Sequence, residues 1–267
     1  DDLVTGVQTC ALPICGVIAC LDADCRVDAT YLRALEAAFN HDAIGAASVY
    51  FEHPLDHADS THPIVHYELF LRYYRIGLAL SGSAHAVHTV GSAMAVRASA
   101  YARQGGMNRR QAGEDFYFMQ KLADAESIGF VNSTRVIPSA RVSARVPFGT
   151  GHAMERAAQG QNVAFYHPRV FDDLASFFNQ LESIYDQVQD DSWVNKLTPA
   201  LKDFVTEQDG SQRMREIRAN VSNRRNFVRR AKRWFNGFMC MKFARFACAA
   251  HHPSIEALTR SEEHTSE

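Results

Sequence analysis

The stretch GVIACLDADCRVDATYLRALEAAF, residues 16–39, decides the fold of this chain. Its apolar run at 17–21 is typical of a short strand that is buried on both faces of a sheet. Asp22 and Asp24 follow directly, one residue apart, where that strand ends. Two carboxylates held this close repel each other unless something cationic lies between them. The end of the strand is therefore a candidate site for a cation.

A helix is predicted to follow the aspartate pair. Asp28 has the side chain of a helix N-cap, and apolar residues recur behind it at helical spacing. The predicted buried face consists of Tyr31, Leu32, Leu35 and Phe39. We therefore expect a strand, an acidic turn and an amphipathic helix in that order.

Strand and helix patterns continue to alternate as far as residue 138. Strands are predicted at 43–51, 87–96 and 128–137, and helices at 66–80, 99–104 and 116–123. Alternation of this kind predicts an α/β fold, with helices on the faces of a sheet. From residue 154 to residue 250 nearly all of the chain has helical periodicity. We therefore divide the chain into an α/β domain at 16–150 and a helical C-terminal region at 151–259.

The composition is typical of a soluble globular protein. The 267 residues are 46% hydrophobic and 22% charged, and the net charge of -2 gives no reason to expect nucleic acid as a partner. No uninterrupted apolar run reaches the roughly 18 residues that a membrane-spanning helix needs. Four cysteines lack C-x-x-C spacing, so we expect buried thiols in a reducing, cytoplasmic compartment rather than a zinc site or disulfides. These are Cys20, Cys25, Cys240 and Cys248.

Both ends of the chain resemble translated sequencing-adapter DNA. The adapter AGATCGGAAGAGCACACGTCTGAA encodes residues 260–267, and its slightly extended reverse complement encodes residues 4–14. We therefore treat 1–15 and 260–267 as artefacts and leave them out of the fold prediction. The natural part then begins inside a core strand, so we expect an N-terminally truncated fragment.

Carboxylate oxygens at the end of a strand suit Mg²⁺ or Mn²⁺, which usually takes one or two carboxylates together with phosphate oxygens and water. In open α/β sheets, ligands bind beyond the carboxyl ends of the strands, where Asp22 and Asp24 are predicted to lie. The alternative is that the two side chains only end the strand and cap a turn. A phosphatase motif and a calcium loop fit less well, because Arg26 and Val27 stand where those motifs need other residues.

A second acidic segment lies in GSAMAVRASAYARQGGMNRRQAGEDFYFMQKLA, residues 91–123. Gly113, Glu114 and Asp115 open a predicted helix there, and a plain N-cap is the alternative to a chemical role. The order of LDADC, GSAMAVR, a GG break and GEDFYF resembles the order found in family 2 glycosyltransferases of the GT-A fold. The resemblance covers residues 16–151, and the ordered combination is more specific than any of its parts. It implies a mixed sheet flanked by helices and incomplete at its N-terminus.

The resemblance also implies a nucleotide-sugar donor and a divalent cation, Mg²⁺ or Mn²⁺. Asp24, with Asp22 near the ribose or the metal, would hold the donor diphosphate through that cation. The sugar would pass, with inversion, to a hydroxyl of a glycan, a lipid-linked acceptor or a small molecule. Because the strands that bind the nucleotide in this fold are expected to be missing, we expect the chain to bind donor weakly and to turn over little or not at all. The competing hypothesis is a non-catalytic α/β binding module, a degenerate transferase.

Further site residues follow from the same resemblance. Asp115 would be the general base that takes the proton from the acceptor hydroxyl, with Glu114 as its neighbour. Arg145 could neutralise charge on the leaving group. His152 could be a further metal ligand, although plain exposure to solvent is the simpler interpretation. The wall where donor sugar and acceptor meet would be shaped by Gly91, Ser92 and Gly106.

A basic, aromatic-rich stretch at 223–245 has two interpretations. A basic amphipathic helix can lie on an anionic membrane surface, which would bring the protein to the inner face of the membrane. The interpretation that we favour is a helix that packs its aromatic face against the catalytic domain and exposes its charges to solvent. The RAKRW sequence at 230–234 matches the R-x-x-R-W pattern of processive members of the family. It lies far beyond Asp115, so we treat the match as chance.

Overall fold

The computed structural model describes residues 16–40, 43–55, 62–107, 113–139, 149–161 and 163–255. The chain forms two compact units. The first contains the residues up to Leu71 together with 87–163, and the second contains 72–86 and the residues from Ala164 onward. Each unit has its own clusters of buried apolar side chains.

The first unit is built on a mixed sheet. Its strands are β1 (Val17–Cys20), β2 (Arg26–Val27), β3 (Ala46–Phe51), β4 (Met94–Arg97) and β5 (Ile128–Ile137). Their order across the sheet is β1-β4-β3-β5-β2. β3 and β5 are parallel, whereas the β1–β4, β3–β4 and β2–β5 pairs are antiparallel. The prediction of an α/β fold with a mixed sheet is confirmed.

Helices pack on both faces of this sheet. Ala47 and Val49 belong to a buried cluster with helix α1 (Tyr31–Phe39). Ala46 belongs to a different cluster with α3 (Ala98–Arg103) and α4 (Glu114–Ala125). Because successive residues of a strand point to opposite faces, the two clusters lie on opposite sides of the sheet. The unit also contains residues 63–71 of α2 (Pro63–Leu80) and all of α5 (Thr150–Ala158).

β1 is less buried than its apolar sequence predicts. Its residues are half-buried, Ala19 is exposed, and Leu21 lies beyond the strand with 37% of its surface exposed. β1 stands at the end of the strand order, where β4 is its one neighbour among the described strands. A strand at this position cannot be enclosed on every side, so the prediction of burial on both faces was wrong.

The first helix also differs from the prediction. Asp28 is not its N-cap, because the cap position is taken by Thr30. The Asp28 carboxylate instead accepts a hydrogen bond from Arg135 at 3.1 Å, and this charge-assisted bond replaces the capping interaction. Leu32 is 75% exposed and does not belong to the buried face. That face consists of Tyr31, Ala34, Leu35 and Phe39.

Of the strand predicted at 87–96, only the last three residues form a strand. Residues 91–93 form a 3-10 turn, and β4 begins at Met94. The strand at 128–137 has the predicted bounds. The predicted helices at 66–80, 99–104 and 116–123 are present, with ends shifted by up to three residues.

The second unit is helical. Its helices are residues 72–80 of α2, α6 (Arg169–Gln187), α7 (Pro199–Glu207), α8 (Gly210–Ala219), α9 (Arg224–Trp234) and α10 (Gly237–Ala250). They surround one buried cluster. The largest side chains that are fully buried in it are Phe177, Trp193, Phe227, Phe235 and Phe243.

α9 and α10 carry the basic, aromatic-rich stretch. Phe227 is fully buried in the cluster, whereas Arg224 is exposed and pairs with Asp186 at 2.6 Å. Trp234 of RAKRW packs against Phe235, with 5.6 Å between ring centroids. These aromatic side chains pack within the cluster of the second unit, whereas the sequence interpretation placed them against the catalytic domain, and contact with a membrane stays a prediction. In the part of the chain that the structure describes, no helix has the length and apolar character to cross a membrane.

The four cysteines outside the chain ends are free thiols. Cys240 is fully buried, as predicted, whereas Cys20, Cys25 and Cys248 are only partly buried. Cys20 and Cys25 flank the aspartate pair at the exposed end of an edge strand, which explains their partial exposure.

Candidate active site

The aspartate pair lies in an exposed turn at the carboxyl end of β1. Asp22 and Asp24 are both exposed, and the Cys25 N–H donates a hydrogen bond to the Asp22 carbonyl at 3.0 Å. A carboxylate oxygen of each aspartate and the Sγ atom of Cys25 all lie within 4.8 Å of one another. The two carboxylates are therefore close enough to bind one cation.

These side chains fit a hard divalent cation through their oxygens. Mg²⁺ and Mn²⁺ prefer oxygen ligands, whereas a thiolate suits softer metals. Burial raises the pKa of the Cys25 thiol above its ordinary value, so this thiol stays protonated at neutral pH. It forms a hydrogen bond with the Ser92 side chain. Asp22 and Asp24 are therefore the residues that could hold the cation, with the rest of its shell left to phosphate and water.

Asp115 lies in the first turn of α4. Gly113 precedes this helix in the left-handed conformation, with a φ of 74°, which glycine adopts without steric cost. Oδ1 of Asp115 accepts a hydrogen bond from the Phe116 N–H at 2.6 Å. The backbone of Gly91 also donates to the carboxylate. Donors from two separate segments of the chain therefore fix the position of this side chain.

The environment of Asp115 makes it more basic than an ordinary aspartate. Burial raises its pKa to about 6, and this effect outweighs the hydrogen bond from the Phe116 N–H. The negative charge of Glu114 raises the pKa further. A carboxyl group with a pKa near neutrality can be ionised and still accept a proton readily. Asp115 therefore has the properties of a general base.

The 3-10 turn at Gly91–Ala93 connects the two acidic segments. On one side, Ser92 is buried and forms its hydrogen bond with Cys25, which follows Asp24. On the other side, a Cβ atom at Gly91 would lie 3.1 Å from Oδ2 of Asp115. This separation is tighter than most contacts of real Cβ atoms, so glycine permits the close approach of the carboxylate. Gly91 thus contacts the segment of Asp115, and the next residue, Ser92, contacts the segment of Asp22 and Asp24.

Cys20 gives a second indication that the segments are close together. It is the last residue of β1, and burial raises the pKa of its thiol to about 11. The negative charges of Asp22 and Asp115 both add to this effect. Because such interactions weaken with distance, both carboxylates lie near Cys20.

Gly106 has a structural role in the described contacts. It ends the segment after α3 in the left-handed conformation, with a φ of 74°. Its N–H donates to the Tyr101 carbonyl at 2.9 Å, and a Cβ atom there would lie 3.1 Å from the Tyr101 ring. Its place in the wall of a substrate site stays a prediction.

The two basic residues predicted near the diphosphate are placed differently. Arg145 lies outside the described residues. His152 is in the first turn of α5, where its Nδ1 atom lies 3.6 Å from Glu155. The group of described residues suited to a metal consists of Asp22, Asp24 and Cys25 and does not include His152.

Tyr67 of α2 was not predicted from the sequence as a residue that interacts with Asp115. Tyr67 of α2 interacts electrostatically with Asp115, and its hydroxyl forms a hydrogen bond with Thr150 at the start of α5. Tyr67 is one of several aromatic residues at helical spacing in α2, so the local pattern does not set it apart. Only the packing of three elements that are distant in sequence brings it to Asp115.

A mixed sheet flanked by helices, with an acidic turn at a strand end and a carboxylate at a helix start, is consistent with the GT-A fold of glycosyltransferases. The family model for glycosyl transferase family group 2 matches residues 17–259, which is most of the chain. The chain belongs to this family, as its motifs predict. No curated protein and no solved structure matches it significantly.

Proposed function

We propose that this glycosyltransferase moves a sugar from a nucleotide-diphosphate donor to a hydroxyl acceptor with inversion at the sugar carbon. The observation that carries the proposal is the turn at Gly91–Ala93, whose first two residues contact Asp115 and the segment of Asp22 and Asp24. An inverting transfer needs a base on one side of the sugar and a stabilised leaving group on the other. The two acidic segments provide a candidate for each task.

Asp115 is the proposed base. Its carboxylate is held by the N–H groups of Phe116 and Gly91, which leaves it little freedom to rotate away from an acceptor hydroxyl. Its pKa of about 6 means that it is mainly ionised at pH 7 to 8. A base held in this way contributes a factor of about 10²–10⁴ to the rate.

Asp22 and Asp24 are the proposed binding residues for the donor diphosphate. Their exposed carboxylates cannot bind a diphosphate directly, because all of these groups are negatively charged. A divalent cation between them would neutralise the diphosphate and act as a Lewis acid for its departure. The family match supports this role, since members of the family commonly use such a cation.

A UDP- or GDP-linked sugar and a glycan, a lipid-linked alcohol or a small hydroxyl compound are compatible with the described residues. The wall formed by Gly91 and Ser92 belongs to the proposed meeting point of donor sugar and acceptor.

The proposal is tested with a panel of UDP-, GDP- and dTDP-linked sugars in the presence of Mn²⁺, with water as the acceptor. Released nucleoside diphosphate is measured for the parent chain, for Asp115→Asn and for Asp124→Asn. The first variant should lose at least a factor of about 100 in release and keep its affinity for the donor in calorimetry. Asp124 lies near the other end of α4, so its variant is a matched control that should behave like the parent. Release by the parent that exceeds the background without protein and is equalled by Asp115→Asn would contradict the role of the base.

A further inference from the structure

Helix α9 carries a row of arginines on the side that faces away from the core. Phe227 and Ala231 are buried in the cluster of the second unit. Arg225, Arg229 and Arg233 are exposed and follow one another at intervals of four residues, so they share one face of the helix. Each arginine stands two residues from a buried one, which is about 200° around the helix. The arginine row and the buried residues therefore lie on opposite sides of α9.

The arginine row is unfavourable for the helix that carries it. Arg225 lies in the first turn of α9, where the positive end of the helix dipole disfavours a cation. Like charges four residues apart also repel each other. The neighbouring Arg224 pairs with Asp186 at 2.6 Å, but Arg225 and Arg229 pair with no carboxylate among the described residues. An anionic partner would remove this repulsion.

The sequence around α9 offers no local compensation for these charges. Residues 221–250 contain eight Lys and Arg residues and no Asp or Glu. The net charge of the whole chain is nevertheless -2, so the positive charge is concentrated on this part of the second unit. Concentration of one sign of charge on one helix face indicates a surface that attracts anions.

An exposed apolar tip lies beside the arginine row. Nζ of Lys232, in the same helix, donates a hydrogen bond to the Gly82 carbonyl in the turn after α2, at 3.1 Å. Leu80 stands two residues before Gly82 and is 79% exposed, and Ile76, about one helical turn earlier, is 47% exposed. Residues 76–84, which form this tip, contain no charged side chain. The tip and α9 belong to the same unit, so their proximity is fixed within it.

We propose that the arginine row and the apolar tip together form a docking surface for an anionic lipid bilayer. The arginines contact headgroup phosphates, and Leu80 and Ile76 enter the boundary between headgroups and acyl chains. Proteins that bind at this boundary combine apolar area with attraction to anionic lipids. The inference goes beyond the proposed function and does not depend on the chemistry of transfer.

The pairing of the two features favours a bilayer over other anionic partners. The phosphates of a nucleic acid would attract the arginine row, but they offer no apolar phase for Leu80. The aromatic side chains of α9 take no part in docking, because Phe227 is fully buried and Trp234 packs against Phe235. The surface therefore differs from an amphipathic helix that inserts its aromatic face.

The test measures the binding of the full chain to lipid vesicles by sedimentation, without donor or metal. One set of vesicles contains equal parts of phosphatidylglycerol and phosphatidylcholine, and the other contains phosphatidylcholine alone. The charge variant is Arg225→Gln with Arg229→Gln. Its matched control is Lys196→Gln with Lys202→Gln, which removes the same charge from exposed positions elsewhere on the second unit.

A second pair of variants tests the apolar tip. Leu80→Asn removes its most exposed side chain. Leu32→Asn is the matched control, since Leu32 is 75% exposed but belongs to the first unit. All of these positions are on the surface, and circular dichroism of each variant is compared with that of the parent to show that the fold is kept.

The parent should bind the anionic vesicles at least about tenfold more tightly than the neutral ones, and added salt should weaken this binding. A basic side chain near an anionic bilayer contributes a factor of about five to the affinity, so the arginine variant should lose about 25-fold. The lysine control should lose less than about threefold. Leu80→Asn should lose about five- to tenfold, and Leu32→Asn should bind like the parent.

Three results would overturn the inference. The first is a parent that does not bind the anionic vesicles or binds both kinds equally. The second is an equal loss in the arginine and lysine variants, which would mean that only the net charge matters. The third is a loss in the arginine variant with none in Leu80→Asn, which would assign the arginine row to a polyanion such as a nucleic acid.

Discussion

Asp115→Asn should make the first unit more stable at neutral pH, because the carboxylate is held in surroundings that disfavour its charge. The pKa of Asp115 is raised from 3.8 to about 6, chiefly by burial. The native state therefore binds the proton more tightly than the unfolded state, and stability is lost as the pH rises from about 4 to about 6. A difference of about two pH units corresponds to roughly 3 kcal/mol above pH 6.

Asparagine has no charge to desolvate, so this cost disappears in the variant. Its side-chain oxygen can still accept from the Phe116 N–H, but its amide group cannot accept from Gly91. The expected gain in the free energy of unfolding is therefore about 2–3 kcal/mol at pH 7.5 and about 1 kcal/mol or less at pH 4.5. A gain in stability combined with a loss of turnover is typical of residues that are selected for chemistry.

The assay must report on the first unit. Both tryptophans of the chain, Trp193 and Trp234, lie in the second unit, so their fluorescence follows a different part of the molecule. Hydrogen exchange is measured in increasing urea by mass spectrometry on peptides from β4, α4 and β5. It gives the free energy of unfolding of the first unit. Parent and variant are compared at the same pH, so that other titrating groups cancel.

The test depends on how the difference in the free energy of unfolding between parent and Asp115→Asn changes with pH. Asp124→Asn, on the same helix, should change the free energy of unfolding by less than about 1 kcal/mol. The reasoning is refuted if Asp115→Asn destabilises the first unit at pH 7.5. It is also refuted if the difference between parent and variant is the same at pH 4.5 and pH 7.5, because burial of the charge would then not be its source.

Three further predictions concern other parts of the chain. Asp24→Ala should weaken donor binding about tenfold or more in the presence of Mn²⁺ and have little effect on it in EDTA. Equal donor titration curves for the parent with and without Mn²⁺ would argue against a cation site. Gly91→Ala should lower turnover about tenfold, because a Cβ atom 3.1 Å from Oδ2 of Asp115 displaces the base. An unchanged rate would show that this approach is unimportant. Phe227→Ala should destabilise the second unit by about 3–5 kcal/mol in urea monitored by tryptophan fluorescence, since Phe227 is fully buried. A loss below about 1 kcal/mol would contradict the described core.

The parts of the fold that the sequence predicts are those that local pattern controls. The strand at 128–137 and the helix begun by Gly113 were predicted with their type and nearly with their ends, because apolar spacing and a glycine break are local signals. Leu32 and Asp28 were placed wrongly for a different reason. Their surroundings depend on where β5 and its Arg135 lie, and no periodicity contains that information.

The same division holds for the candidate site. Carboxylates at a helix start are common, so the acidic residues stand out in sequence only through the order of motifs that resembles family 2 glycosyltransferases. The contacts of Ser92 with Cys25 and of Gly91 with Asp115 form only when β1, the 3-10 turn and α4 pack together. The contacts of His53 with Glu68 and with Thr150 are even less visible, since they join a loop to two different helices.

Two carboxylate environments within one unit explain how similar side chains can be given different tasks. Asp22 and Asp24 are exposed in a turn, where a cation and a diphosphate can reach them from solvent. Asp115 is withdrawn beside Gly91, where burial makes it basic and backbone donors keep it in place. If the exposed pair were buried, a cation could not bring its own ligands, and if Asp115 were exposed, it would be too weak a base. The exposed turn after β1 is therefore what leaves the aspartate pair accessible to a ligand.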